Sequence, residues 1–175
     1  MKKLLLIFIA SFQLLHAQPL TSDSTSADSA EIIDVIEKLY FYPDSMLTHA
    51  RQYINMPYKF GGISPETGFD CSGFVCYNFK RYNVELPHSS SEQIKKGDVV
   101  LKTETQPGDL IFFKGSDVNS TQAGHVGIVV SRNDTTVKFI HAAIKGGIRF
   151  DSTSSDYYRK RYLGIRRVAL AKSRD

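Results

Sequence analysis

The period of the apolar residues changes partway along this 175-residue chain, and that change constrains the fold more than any other feature. Before about residue 100 the apolar positions recur at three and four residues, the spacing of helices with one buried face. After Pro107-Gly108-Asp109 they gather into short β-branched and aromatic runs, separated by Asn133-Asp134 and Gly146-Gly147. Such runs, bounded by turn residues, read as strands. Helices first and strands second predict an α+β fold, with N-terminal helices packed on a C-terminal antiparallel sheet.

The helical part reads as four segments. Ile32, Val35, Ile36, Leu39 and Tyr40 form the first, and Met46, Leu47, Ala50, Tyr53 and Ile54 the second, which Pro57 ends. A third begins at Asp70 and runs to about Tyr82, with Phe74, Val75, Phe79 and Tyr82 inward. Ser89-x-x-Glu92 has the spacing of a capping box and opens a short fourth helix that stops at Gly97. The predicted strands are Leu110–Phe113, Val126–Val130, Val137–Ile140, Ile148–Phe150 and Leu163–Leu170.

The first 17 residues read as a signal peptide. Lys2-Lys3 form a positive start, Leu4 to Leu15 is an apolar stretch, and Ala17 suits the position before cleavage. The stretch is shorter than the roughly 20 residues of a membrane span, so export is expected and a stable membrane span is not. Residues 18–42 are a Ser/Thr/Asp-rich linker followed by the first helical segment, 43–170 a single domain, and 171–175 a tail. The net charge of +4 falls once Lys2 and Lys3 are set aside, leaving 20 basic against 18 acidic residues. That balance carries no nucleic-acid footprint. Seven Lys or Arg between Arg159 and Arg174 form a basic tail, read as a solvated face.

Chemistry concentrates at two places. In Phe69-Asp70-Cys71-Ser72-Gly73-Phe74-Val75, Asp70 is an N-cap residue and Cys71 falls in the first turn, where backbone N–H groups and the helix dipole lower a thiol's pKa. A buried structural cysteine is the competing reading. In Ala123-Gly124-His125-Val126-Gly127, a histidine between two glycines begins a strand, a rigid and lightly shielded place for a base. His141, ending the run from Phe139, is placed to orient His125 as the third member of a triad. A zinc site made of Cys71, His125 and His141 is the rival constellation, but its spacing lacks the paired close ligands of structural zinc sites. Cys76 stands five residues from Cys71, about 140° around a helix and 7.5 Å along it, so the two are not expected to pair.

Six motifs in order resemble the NlpC-like family of bacterial cell-wall cysteine peptidases, which have a papain-like fold. They are Pro57-Tyr58-Lys59-Phe60-Gly61-Gly62, the Cys71 motif, Leu86-Pro87-His88-Ser89-Ser90-Ser91-Glu92-Gln93, Pro107-Gly108-Asp109-Leu110-Ile111-Phe112-Phe113, Gly124-His125-Val126-Gly127-Ile128-Val129 and Phe139-Ile140-His141-Ala142. The resemblance spans about Ser45 to Val168. It implies Cys71 as nucleophile, His125 as base, His141 as orienting residue, and a Tyr58 hydroxyl beside the thiolate. It also places Asp70, Ser72 and the loop at His88 around the substrate groove. The family usually has arginine after Leu-Pro, where this chain has His88.

The activity so implied is hydrolysis of peptidoglycan stem peptides outside the cytoplasm, between D-γ-glutamate and a diamino acid, by a monomer with no metal or other cofactor. The alternatives are another papain-like wall hydrolase, such as an N-acetylmuramoyl-L-alanine amidase, and a non-catalytic wall-binding module.

Overall fold

The computed structural model describes residues 43–169. The signal-peptide stretch, the segment 18–42 and the tail 171–175 lie outside the described residues. The chain enters through a helix over 43–51 (α1), and two short strands, Ile63–Ser64 (β1) and Gly68–Phe69 (β2), form a small hairpin. Then come helices Cys71–Lys80 (α2) and Ser90–Gln93 (α3), strand Asp98–Val100 (β3) and a single 3₁₀ turn, Lys102–Glu104. Strands Leu110–Lys114 (β4), Ala123–Arg132 (β5), Val137–Ala143 (β6) and Gly147–Ser152 (β7) follow, then helix Asp156–Arg161 (α4) and strand Tyr162–Arg167 (β8). Strands β3 to β8 make one six-stranded sheet in the order β3-β8-β4-β5-β6-β7, every pair antiparallel. This is the α+β arrangement expected from the change of period, and it agrees with the papain-like fold that the family resemblance implies.

Both faces of the sheet are buried, which explains the near-continuous apolar reading of Leu110-Ile111-Phe112-Phe113. Leu110 and Phe112 join Val126, Ile128 and Ile140 in a core under α1 and α2. Ile111 and Phe113 point the other way, into a second cluster with Val129, Phe139, Ile165 and Tyr158 of α4. The sequence pattern gives no sign of α4. Its run Asp156-Tyr157-Tyr158-Arg159-Lys160-Arg161 buries Tyr158 alone, so it has no apolar stripe to read. Strand β3 was likewise not expected, because Val99 is exposed and only Val100 turns inward.

Helix α2 ends much as read. Asn83 takes a left-handed φ of 57°, and the Val84 and Asn83 N–H groups return to the carbonyls of Phe79 and Lys80. This double closure satisfies carbonyls that a helix end leaves open. The fourth helix is shorter than expected, and its box does not form. The Ser89 hydroxyl bonds Ser91 at 2.8 Å, while the Ser89 carbonyl takes the Gln93 N–H.

Gly73 is the position where α2 is closest to its surroundings, because a Cβ there would sit 2.0 Å from the Gly62 carbonyl oxygen. Alanine in a helix interior ordinarily gains about 1 kcal/mol over glycine. Here overpacking against backbone outweighs that gain, and Gly73→Ala is expected to destabilise by about 1–3 kcal/mol. Thermal unfolding should show a drop in Tm of roughly 3–10 °C, whereas an unchanged or raised Tm would mean the close approach is not tight.

Candidate active site

Local sequence builds the first half of the site. Asp70 is extended (φ −91°, ψ 180°), and its Oδ1 accepts the Gly73 N–H at 2.7 Å, capping α2 directly ahead of Cys71. The same carboxylate accepts the Ser72 hydroxyl at 3.0 Å, the Gly61 N–H at 3.0 Å and His88 Nε2, 3.0 Å from both oxygens. Asp70 is 8% exposed. One buried carboxylate thus ties together the Gly61 turn, the start of α2 and the His88 loop. Tyr58 is brought alongside by a bridge to Phe69, the residue before Asp70, with the Lys59 N–H bonded to the Phe69 carbonyl.

Cys71 is buried, and burial raises its thiol pKa to about 11, with the charge of Asp70 adding to the rise. Backbone N–H groups of Val126, Ser72 and Cys71 itself lie near the sulfur and pull the other way. The helix-start effect expected from sequence is therefore present but outweighed, and the resting thiol is neutral. The Val126 contact also fixes location, since it brings the strand residue after His125 against the start of α2. Tyr58 is raised to about 12, first by burial and then by the charges of Cys71 and Asp70. Its hydroxyl thus lies in the field of both groups. Cys76 occupies another side of α2, in contact with the Leu86 and Pro87 carbonyls and Gln93 Nε2, and both cysteines are free thiols.

Sheet register builds the second half. His125 sits opposite Phe113 on β4, and its Nε2 lies 2.7 Å from Nδ1 of His141 on β6. Gly127 makes room between them, since a Cβ there would lie 2.9 Å from the Phe139 ring and 3.2 Å from His141 Cβ. Burial lowers the His125 pKa to about 3, with His141 contributing, and burial also lowers His141. Both rings are neutral at rest.

Sequence reasoning missed what stands behind His141. Its Nε2 lies 2.9 Å from Asp151 Oδ2, which also accepts the Tyr158 hydroxyl at 2.9 Å and Arg149 Nε at 2.9 Å. Burial raises the Asp151 pKa, but hydrogen bonds from His141, Arg149 and Tyr158 overcome it and bring the carboxyl to about 2. The available signal was the β6–β7 register, which sets Arg149 opposite His141 and Asp151 opposite Phe139. Among the described residues, no group of three or more His, Cys, Asp or Glu is placed to hold a metal ion. Nor is any described helix long and apolar enough to cross a membrane.

Residues 55–167 match the model of the NlpC/P60 family, and that span includes every residue of the site. The chain belongs to this family. Two relatives that it resembles are murein DD-endopeptidase MepH of Escherichia coli K12, 37% identical over 126 residues, and gamma-DL-glutamyl hydrolase of Bacillus subtilis 168, 35% identical over 123. Each match covers 70% of this chain, but only 44% and 28% of those two proteins. A solved NlpC/P60 structure from Staphylococcus aureus Mu50 superposes with a TM-score of 0.65 at 32% identity, over 74% of this chain and 42% of that one.

Within this NlpC/P60 site, the sign of Asp70's effect on the thiol gives a test. Asparagine caps helices as well as aspartate, so Asp70→Asn keeps α2 while removing the charge that disfavours the thiolate. It gives up one acceptor facing Gly61, at a cost of about 1 kcal/mol. The midpoint of Cys71 alkylation by iodoacetamide against pH is expected to move to lower pH in Asp70→Asn. A shift to higher pH would show that the capping geometry, not the charge, controls the thiol.

Proposed function

We propose that this protein is an exported cysteine peptidase that hydrolyses peptidoglycan stem peptides, with Cys71 as nucleophile, His125 as base and His141 as the residue that orients it. The observation that carries this reading is the meeting of Cys71, at a capped helix start, with a strand that carries a histidine hydrogen-bonded to a second histidine. Its support is also familial, since the two relatives named above are by name a murein endopeptidase and a glutamyl hydrolase.

In this mechanism the Cys71 sulfur attacks the peptide carbonyl and its proton passes to His125. The developing oxyanion is stabilised by backbone N–H groups at the start of α2, whose first-turn donors have no partner within the helix, with the Tyr58 hydroxyl beside them. His125 then protonates the leaving amine, and water releases the acyl group from sulfur. The neutral resting pair makes the thiolate a species formed on demand. Asp70 and Ser72 are buried and committed to internal bonds, so they shape the groove wall. His88 is partly exposed, with 32% of its side chain accessible, and is the member of that wall a substrate can reach.

The bond assigned is the one between D-γ-glutamate and the diamino acid, which the family resemblance implies and to which a relative named a gamma-DL-glutamyl hydrolase lends support. Digestion of defined tri- and tetrapeptides and of crosslinked muropeptides, with product masses, tests it. Release of a dipeptide ending in D-glutamate is the expected result. Conversion of crosslinked dimers to monomers would reassign the enzyme to the DD bond of the MepH relative, and intact peptides beside freed glycan would make it an amidase.

Cys71→Ala removes the atom that forms the acyl bond and is expected to cut turnover by about 10⁴-fold or more. His125→Ala should be nearly as severe and His141→Ala milder. Each is checked as product per minute on the same peptides, after circular dichroism shows the fold intact. Full turnover in folded Cys71→Ala would exclude the thiol mechanism.

A further inference from the structure

The two histidines end on a carboxylate, and the direction of every proton along the line can be read from it. Asp151 Oδ2 lies within hydrogen-bond distance of His141 Nε2, the Tyr158 hydroxyl and two nitrogens of Arg149, the nearest at 2.7 Å. An ionised carboxylate only accepts, so His141 offers it an Nε2–H. The His141 ring is fully buried and neutral, which leaves its Nδ1 with a lone pair. That Nδ1 faces His125 Nε2 at 2.7 Å, so the bond between them runs from a His125 Nε2–H. Neutral His125 then carries its own lone pair on Nδ1, the nitrogen turned away from His141.

We propose that Asp151 is a positioning residue that fixes the tautomers of His141 and His125 in series, so that His125 Nδ1 is always the free base nitrogen. The proposal rests on the reading of His125 as the base for Cys71, and it assigns Asp151, Arg149 and Tyr158 a part in the reaction that the triad alone does not contain. Hydrogen bonds from His141, Arg149 and Tyr158 hold the carboxylate ionised, and burial, helped by the charge of Arg149, keeps His141 from becoming an imidazolium against the pull of Asp151. Tyr158 has the opposite potential. Its hydroxyl is 3.3 Å from His141 Nε2 and donates to Asp151 instead. With Asp151 gone, that hydroxyl is the nearest donor to His141 Nε2 and favours a ring protonated at Nδ1. His125 then has to accept at Nε2 and carry its proton on Nδ1, where it cannot take one from the thiol.

Long-range ¹H–¹⁵N spectra of the ¹⁵N-histidine-labelled protein read each tautomer directly. In the wild type both rings are expected as Nε2–H at neutral pH. In Asp151→Ala both are expected as Nδ1–H, with kcat lower by about 10- to 100-fold and KM within about twofold. Asp151→Asn keeps an oxygen for the three donors and can turn its amide NH₂ outward. It should retain the wild-type tautomers and most of the rate lost by alanine.

Wild-type rings protonated at Nδ1 would overturn the proposal with no variant needed. So would Asp151→Ala with unchanged tautomers, or with unchanged kcat. The spectra use no substrate, which separates this proposal from the assigned function. A tautomer switch in a protein that leaves all peptidoglycan intact would sustain the positioning role and refute the peptidase reading.

Discussion

The Asp70 carboxylate is the constraint on which the rest of the site depends. Buried ionised groups are costly unless every lone pair is used, and here donors from three separate segments converge on one side chain. Loss of any one segment would leave the charge under-satisfied, so the Gly61 turn, the start of α2 and the His88 loop are held as a unit. Tyr58 rides on the first segment, Cys71 on the second and His88 on the third. The geometry has an electrostatic consequence, because the charge that organises the site also opposes the thiolate it is built around. Stability and reactivity are in conflict at this atom. The backbone donors aimed at the sulfur are what lessen the conflict.

The histidine half is organised by different physics. It has no comparable local signal, because His125 and His141 meet only through the pairing of β5 with β6, and His141 meets Asp151 only through the pairing of β6 with β7. The sheet must therefore be rigid for a 2.7 Å contact between two rings to persist. Burial on both faces supplies that rigidity. Phe113, Phe139 and Tyr158 pack around the two imidazoles with ring centroids 5.0–6.5 Å apart. The same aromatic wall strips the rings of water and holds them neutral. A packed hydrophobic cluster thus does two things at once, fixing positions and setting protonation.

This division explains what was legible in the sequence. Asp70 and Cys71 could be placed together because capping acts over three residues, and the strands because β4 to β6 alternate or run apolar over their whole lengths. Asp151 was not legible, since a lone aspartate near a strand end looks solvated until register sets it beside His141. Helix α4 was not, because a single buried tyrosine carries no period. The box at Ser89 failed by competition, as a serine hydroxyl two residues along offered the side chain a nearer partner. The direction of the Cys71 shift was misjudged for a related reason: a helix start can be read from sequence, but the burial that outweighs it is a property of the assembled fold.

Two hydrogen-bond systems, each centred on a carboxylate, therefore organise the site. On one side, donors converge on an anion at Asp70 and leave a negative field at the sulfur. On the other, a second anion at Asp151 stands behind His141 and His125 in series and is partly balanced by Arg149. Were Asp151 unbalanced, its field would favour a charged His141, and a protonated Nδ1 there would block the bond from His125. Were Asp70 unbound by its donors, α2 would lose its cap and Cys71 its place. Each carboxylate is useful only because cations or N–H groups restrain it. On the proposed mechanism, the neutral thiol is the state from which a proton moves when a carbonyl arrives to accept the sulfur's electrons.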